Sequence, residues 1–423
     1  MTAALSYWPS ALAFAAGACL RSLNMPVKSS TAIHRDLSVK VGHRGAQRLL
    51  AGHVWVYRSD ILSADGIPPG ALVNVFDERR KFLGTALYSS SSQIALRLLS
   101  REHVDDFPGL LRSRIRAAIA YREQVVQNTD AYRVVFSEGD FLPGLIVDRY
   151  NDLLSIQILT QGMDSEAARQ TVIPELNEQL KPAAIAERVD SRVREIEQLP
   201  TRTSSLLQGE KSSTVITMNG VRFHYRALEG QKTGAFLDQR ENYAAAAQYA
   251  RGEALDVFCY QGGFALHLAQ RCSNVTGVDS SRPALEIAEK NTALNGREIE
   301  WIEGNAFDLL RDYAAAGREY DCIVLDPPAF AKSKRNLETA FRGYKELNLR
   351  ALKMLRRGGL LVTCSCSYHV SPAEFIEVVA SAARDVHRNI RLLENRTQAK
   401  DHPILLHVPE TAYLKCVVAT VSY

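Results

Sequence analysis

The chain has 423 residues, of which 46% are hydrophobic and 23% charged, and a formal net charge of +4. That length suggests two or three domains, and an ordinary globular composition excludes disorder on a large scale. The mildly basic balance permits a nucleic-acid partner without requiring one.

The chain begins with an apolar run, "ALAFAAGACL", whose first arginine, Arg21, follows it. A secretory leader carries positive charge ahead of its apolar stretch, and this run is too short to cross a bilayer. Residues 1–36 are therefore read as a tail, either an over-extended start with Met25 as the natural initiator or a disordered segment, with targeting as the alternative. Residues 37–103 alternate short apolar runs such as "HVWVY" and "SQIALRLLS" with turns at Pro68-Pro69-Gly70 and Asp77-Glu78. That pattern predicts a small β-rich domain.

Residues 104–222 form a second block, expected to be α+β. Leu110–Gln127 has a helical apolar period. Phe141–Asp148 and Leu153–Leu159 read as a hairpin turning at Tyr150-Asn151-Asp152. Ser165–Leu180 reads as a helix stopped by Pro182, Ala183–Val189 as a strand, and the polar stretch Leu199–Ser213 as a surface loop.

Residues 223–423 alternate strand and helix. The strands are placed at Ala254–Cys259, Asn274–Asp279, Ile299–Glu303, Asp321–Asp326 and Leu360–Cys364, with Ile390–Glu394 and Leu414–Val421 closing the set. The helices between them are Gly263–Arg271, Arg282–Asn295, Phe307–Ala316, Gly343–Leu355 and Pro372–Ala383. Such alternation predicts an α/β domain, a parallel sheet covered on both faces.

Ligands of such sheets lie beyond the carboxyl ends of the strands, at the topological switch point. The first strand ends Asp256-Val-Phe-Cys-Tyr260, and Gln261-Gly262-Gly263 then turns into a helix at Phe264. Glycines there let a ligand approach the backbone. The dinucleotide fingerprint GxGxxG is absent, which argues against a pyrophosphate cradle. Asp279 ends the second strand, where a carboxylate can accept both hydroxyl protons of a ribose, with Ser280 beside it. Asn305 and Ala306 follow the third strand, where an amide or the backbone could read an adenine edge.

The fourth strand ends "LDPPAF". Asp326 precedes a rigid Pro-Pro ledge, and Phe330 could stack on a flat base held there. The fifth ends "TCSCSYH", with Cys366 just past the strand on the same rim. A thiolate attacking C6 of cytosine makes C5 nucleophilic, and a carboxylate at N3 and the exocyclic amine stabilises the developing charge. Cys366 is the expected nucleophile and Asp326 its partner, whereas Cys259, Cys272, Cys322 and Cys364 are read as core. With Cys19 and Cys416 they make an odd, scattered set of seven. That argues for a reducing, cytoplasmic setting, and no metal is expected.

These motifs, in this order, resemble the RlmI family of ribosomal RNA cytosine-C5 methyltransferases. "VGHRGAQRLLAGHVWVYRSDI" is similar to the opening of its PUA domain. "SEGDFLPGLIVDRY" and "ERVDSRVREIEQLP" resemble its central EEHEAD-like domain, and "LEGQKTGAFLDQRENY" the segment capping the cofactor. "VFCYQGGFALHLA", "GVDSSRPALEIAEKNTALNG", "LDPPAFAKSK", "GYKELNLRALKML" and "TCSCSYH" follow. The resemblance covers about residues 37–423. It implies a PUA-like domain over 37–103, a central domain over 104–222 and a class I, Rossmann-like methyltransferase domain over 223–423. It also implies S-adenosylmethionine as cofactor and large-subunit (23S) ribosomal RNA as partner. No membrane association and a possible homodimer complete the expectation. It places Lys232, Thr233, Gly234, Asp238 and Arg240 over the methionine end, Asp256, Tyr260, Gly262, Gly263 and Phe264 in the cofactor turn, and Asp279 on the ribose. Asn305 stands where an aspartate is common, Gln261 where a threonine is frequent, and Tyr368 where some relatives have glycine.

Nine Lys or Arg lie between Lys332 and Arg357, against Glu338 and Glu346. Lys332, Lys334, Arg335 and Lys345 are the expected phosphate contacts. In the first domain Arg44 and Trp55 suit an RNA stem and its unpaired bases, although Trp55 reads equally as core. Two other readings remain open: a purine-nitrogen RNA methyltransferase of the same fold, and a non-catalytic RNA-binding or ribosome-assembly protein.

Overall fold

The computed structural model describes residues 37–229, 234–331 and 334–422. The expectations for residues 1–36 and for Lys232, Thr233 and Lys332 fall outside them.

The first part is a six-stranded sheet: β1 (Ser38–Val41), β2 (Trp55–Tyr57), β3 (Ile61–Ser63), β4 (Leu72–Phe76), β5 (Phe82–Tyr88) and β6 (Ile94–Ser100). Its order is β2-β6-β5-β4-β1-β3, with β1 and β4 parallel and the other pairs antiparallel. Helix α1 (His43–Leu50) buries Ala46 and Leu49 against it.

Helix α2 (Phe107–Val125) then starts at Asp106, whose side chain accepts from the Gly109 amide at 2.8 Å. It leads to β7 (Ala131–Phe136), β8 (Leu145–Tyr150), β9 (Leu153–Ile158), α3 (Glu166–Leu180), β10 (Ala184–Glu187), α4 (Ser191–Ile196) and β11 (Ser205–Gln208). The five strands form one sheet in the order β11-β10-β9-β8-β7. Two strands here were not foreseen. β7 pairs with β8 and makes the expected hairpin a three-stranded meander. β11 lies inside the stretch read as a loop, because even a polar segment satisfies its backbone by pairing along the open edge of β10. The hairpin β12 (Ser213–Met218) and β13 (Val221–Arg226) follows.

The last part holds α5 (Arg240–Tyr249), β14 (Glu253–Val257), α6 (Gly263–Leu268), β15 (Asn274–Asp279), α7 (Arg282–Leu294), β16 (Glu300–Glu303), α8 (Ala306–Ala315), β17 (Tyr320–Leu325), α9 (Leu337–Met354), β18 (Leu355–Ser365), α10 (Pro372–Asp385), β19 (Asn389–Arg396) and β20 (Lys415–Ser422). The sheet order is β16-β15-β14-β17-β18-β20-β19. Strands β14 to β18 are mutually parallel, as expected. β20 inserts antiparallel between β18 and β19, so the sheet is mixed at that edge. The chain winds outward from β14 to β16 and then crosses back to β17, so the switch point lies between β14 and β17. Apolar side chains cover both faces of these central strands, from Ala254, Val324 and Val362 on one side to Leu255, Ile323 and Leu361 on the other.

The parts are joined by buried polar contacts. The Trp55 indole donates to Glu138 at 3.0 Å, and Arg97 pairs with Glu197 at 2.8 Å. Arg240 Nη1 lies 3.0 Å from Asp401, whose Oδ2 also accepts from the backbone of Arg133. No helix among the described residues is long and apolar enough to cross a membrane.

Candidate active site

A cavity of about 270 Å³ opens beyond the carboxyl ends of β14, β15, β17 and β18. Its wall includes Phe236, Asp238, Gln239, Tyr260, Gly263, Phe264, Asp279, Ser280, Asp326, Pro327, Pro328 and Cys366. Residues far apart in sequence and expected at one rim do therefore meet there.

The turn after β14 is held in an uncommon shape. Phe258, Tyr260 and Gly262 have φ of 68°, 50° and 86°. A non-glycine residue at positive φ is costly and needs support from its surroundings. The Phe258 and Cys259 amides both donate to the Val278 carbonyl, at 2.9 and 3.0 Å. The Tyr260 amide donates to Asp279 Oδ2 at 2.9 Å, while Oδ1 accepts from the Ser281 amide at 2.8 Å. Each carboxylate oxygen retains acceptor capacity, so Asp279 can fix the turn and also take a hydroxyl. Tyr260 meets Phe236 edge-on at 5.0 Å, closing one side. Asp238, only 5% exposed, accepts from the Tyr413 hydroxyl at 2.7 Å.

Beside the ledge, the backbone amide of Asp326 donates to Val257 at 3.3 Å and its Oδ1 accepts from Gln239 Nε2 at 3.0 Å. The Ser365-Cys366-Ser367 triplet explains how the sulfur is aimed. In extended chain, alternate side chains point to opposite faces. Ser365 and Ser367 are both fully buried and turned toward Tyr344, whose hydroxyl lies 3.0 and 2.9 Å from theirs. Ser367 Oγ also accepts from the Ala331 amide at 3.1 Å. Cys366 between them therefore faces the cavity, half-buried, with Sγ 3.9 Å from the Pro327 carbonyl oxygen. Lys415, paired across the sheet with Ser365, donates through Nζ to the Ser367 and Tyr413 carbonyls at 2.6 and 3.0 Å. Burial lowers its pKa to about 8, partly offset by the Cys366 and Glu374 charges.

Several expected site residues lie elsewhere. Asp256 is fully buried, is absent from the cavity wall, and accepts from the Ala265 amide at 2.8 Å, which ties the start of α6 to β14. Burial raises its pKa to about 8, with the Asp326 and Asp279 charges adding to the rise. Gly262 and Gly263 fit against rings instead of open space. A Cβ would lie 2.8 Å from Trp301 at Gly262 and 2.5 Å from Tyr243 at Gly263, although Gly263 also lines the cavity. Gly234 sits at φ 135°, where a Cβ would strike Tyr225. Arg240 is 1% exposed and bonded to Asp401, so it braces the fold behind the cavity. Asn305 caps α8, its Oδ1 accepting from the Phe307 and Asp308 amides at 2.9 and 3.3 Å. Neither it nor the buried Ala306 reaches the cavity wall. Cys259, read as core, is buried and yet forms part of that wall.

The nucleic-acid expectations change in the same way. Trp55 is 7% exposed with its indole bonded to Glu138, so it is core. Arg44 is exposed and paired with Asp60 at 2.6 Å. Phe330 packs against Tyr344, 4.8 Å between ring centroids, and lies off the cavity wall. Lys334 begins a short 3-10 turn, and Arg335 within it is exposed. Four cations of the basic run are paired: Lys345 with Asp385, Arg342 with Glu338, Arg350 with Glu346, and Arg356 with Glu253 and Asp321. Residues missed in the sequence are Gln239, Lys415, Tyr413 and Phe236. Only the "LDQR" context pointed near any of them.

Comparison with known proteins decides the family. A PUA-like domain family model matches residues 39–101, and a model described as S-adenosylmethionine-dependent methyltransferase matches residues 143–414. A protein from Shewanella denitrificans named ribosomal RNA large subunit methyltransferase I is 39% identical over 382 residues, covering 87% of this chain and 95% of its own. This chain belongs to that methyltransferase family. The same-named protein from Photobacterium profundum is 37% identical over 379 residues, covering 86% of this chain and 94% of its own. A SAM-dependent methyltransferase structure from Streptococcus mutans superposes with a TM-score of 0.77 at 19% identity, over 91% of this chain and 100% of that one. A methyltransferase solved with SAH gives 0.79 at 19% identity over the same shares, and both likenesses show the fold.

The methyltransferase uses S-adenosylmethionine, and the residues present fit it. Asp279 would offer acceptors to a ribose diol, and Asp238 and Asp326 add two carboxyl groups to the same wall, which suits a cationic donor. Phe236, Tyr260 and Phe264 supply apolar surface. Among the described residues, no cluster of His, Cys, Asp and Glu could hold a metal.

Proposed function

We propose that this enzyme methylates C5 of a cytosine in large-subunit ribosomal RNA, the 23S molecule, through a covalent Cys366 adduct. The RNA class follows the relatives' shared name. One observation carries the chemistry: Cys366 and Asp326 share a cavity wall with Asp279, and the thiol lies beside the Pro-Pro ledge.

The cytosine must leave its stack, or come from a single strand, to enter such a pocket. Cys366 attacks C6 as the thiolate, forming the C6–S bond and moving the ring's electron pair toward C5. Asp326 holds the N3 and exocyclic-amine edge while that charge develops. S-adenosylmethionine, when bound, supplies an electrophilic methyl group. C5 takes that methyl as the sulfonium S–CH3 bond breaks, a base removes the C5 proton, and the C6–S bond breaks to return the thiolate. Lys334, Arg335 and Arg44 are the phosphate contacts this reading retains.

The test is incubation with ribosomal RNA carrying 5-azacytidine, whose ring nitrogen at position 5 has no proton to lose. The expected result is a denaturant-resistant protein–RNA adduct, absent in Cys366→Ala. Methylation retained by Cys366→Ala, with no adduct in the wild type, would overturn the reading in favour of nitrogen chemistry.

A further inference from the structure

Asp326 is held by a chain of side chains that starts on the edge strand β19. Gln239 Nε2 donates to Asp326 Oδ1 at 3.0 Å. Gln239 Oε1 accepts from Asn242 Nδ2 at 2.7 Å. Asn242 Oδ1 accepts from Arg396 Nε at 2.8 Å. Gln239 and Asn242 are 2% and 1% exposed. They stand three residues apart, on the short turn Leu237–Gln239 and on the first turn of α5. Arg396 ends β19, two strands beyond β18 in the sheet.

The direction of the chain is forced from its far end. A guanidinium can only donate. Asn242 must therefore turn its oxygen to Arg396 and its NH2 to Gln239. The backbone carbonyl of Thr397, which can only accept, lies 3.1 Å from the same Asn242 nitrogen and demands the same orientation. Gln239 must in turn present its oxygen to Asn242 and its NH2 to Asp326. Neither amide is free to flip, so Oδ1 of Asp326 always meets a donor, and a proton taken up by this carboxyl sits on Oδ2.

We propose that Arg396, Asn242 and Gln239 form a positioning relay that fixes the rotamer of Asp326 and keeps its Oδ1 an acceptor. This rests on the reading of Asp326 as the base-contacting carboxylate. A donor at Oδ1 favours the ionised carboxyl, which accepts from the exocyclic amine of the pyrimidine. Asn242 and Arg396 act on Asp326 from outside the cavity wall, through Gln239.

Four variants test this, each measured for turnover on ribosomal RNA across pH, for S-adenosylmethionine affinity by calorimetry and for melting temperature. Gln239→Leu removes the donor; turnover should fall on the order of tenfold or more, with cofactor affinity within about twofold. Gln239→Glu sets two carboxylates against each other, so one keeps its proton well above its ordinary range. The acid limb of its kcat/KM profile should steepen and move toward neutral. Asn242→Asp acts two bonds away. It still accepts from Arg396 but offers Gln239 an acceptor, which turns the Gln239 amide and points its oxygen at Asp326. Its acid limb should move the same way, an outcome that lost packing alone does not produce. Asp326→Asn is the reference and should lose turnover. Wild-type turnover in Gln239→Leu, or unmoved acid limbs in both Gln239→Glu and Asn242→Asp, overturns the relay while Asp326→Asn remains inactive. Full activity of Asp326→Asn overturns the relay together with the reading beneath it.

Discussion

The Tyr344 hydroxyl lies 2.9 Å from Ser367 Oγ and 3.0 Å from Ser365 Oγ, on the side of the chain away from the cavity. This anchor under the triplet determines where Cys366 points, because the serines on either side are drawn into the core. Burial raises the Tyr344 pKa to about 12, so the ring stays neutral and available to both serines.

Tyr344→Phe removes one hydroxyl and leaves two buried serines short of a partner. The expected stability loss is about 1–3 kcal/mol, read as a lowered denaturation midpoint in urea. Turnover should fall further than global stability accounts for, since the Cys366 backbone loses its tether, while cofactor affinity holds. Unchanged turnover at a temperature well below the melt would show that the sulfur is aimed by something else.

Asn305 offers a clean contrast between a helix cap and a ligand contact. Its oxygen is already engaged by two amides of α8. Asn305→Ala should cost about 1 kcal/mol of stability and leave S-adenosylmethionine affinity within about twofold. A drop of tenfold or more in affinity at unchanged stability would restore the adenine role expected from the sequence.

Asp256 has its folded-state pKa raised to about 8 by burial. The folded protein therefore holds a proton that the unfolded chain releases near pH 4. Stability from this group is fully present below that pH and is lost progressively as pH rises toward 8. Asp256→Asn keeps the acceptor for the Ala265 amide and has no proton to lose. Its urea midpoint should vary less than wild type's between pH 4 and 8, with its largest gain over wild type at pH 8. Parallel curves for the two proteins would sink this account.

The rim residues were legible because parallel strands put their carboxyl ends on one edge. Once the strands ending at Asp279, Asp326 and Cys366 were placed, their convergence followed from topology. Gln239 and Lys415 could not be read that way. Gln239 precedes the first strand of the sheet and reaches the site only through the packing of α5. Lys415 arrives on an antiparallel strand whose register against β18 is a long-range fact. Trp55, read equally as core or RNA contact, and Arg240, placed at the cofactor by resemblance, are buried against Glu138 and Asp401, partners that lie far off in sequence. The pairing of Lys345 and Arg356 in the basic run was not legible because Asp385, Glu253 and Asp321 come from other parts of the chain.

Lys415 connects stability to chemistry. The residue is 5% exposed, and its ammonium donates to two carbonyls and lies within electrostatic reach of Cys366. Folding lowers its pKa from 10.5 to about 8, so stability linked to this group is fully present above pH 10.5 and is lost as pH falls through 8. A buried positive charge beside the thiol also favours the thiolate. Lys415→Met keeps the aliphatic stem and removes the charge. The stability gap between wild type and Lys415→Met should shift in favour of the variant as pH falls from about 10 to 7, read from urea midpoints at each pH. The rate of 5-azacytidine adduct formation near pH 7 should fall by about tenfold and recover at higher pH, where Cys366 ionises without help. A variant whose adduct rate tracks wild type across that range would show that the cation serves the Ser367 and Tyr413 carbonyls alone.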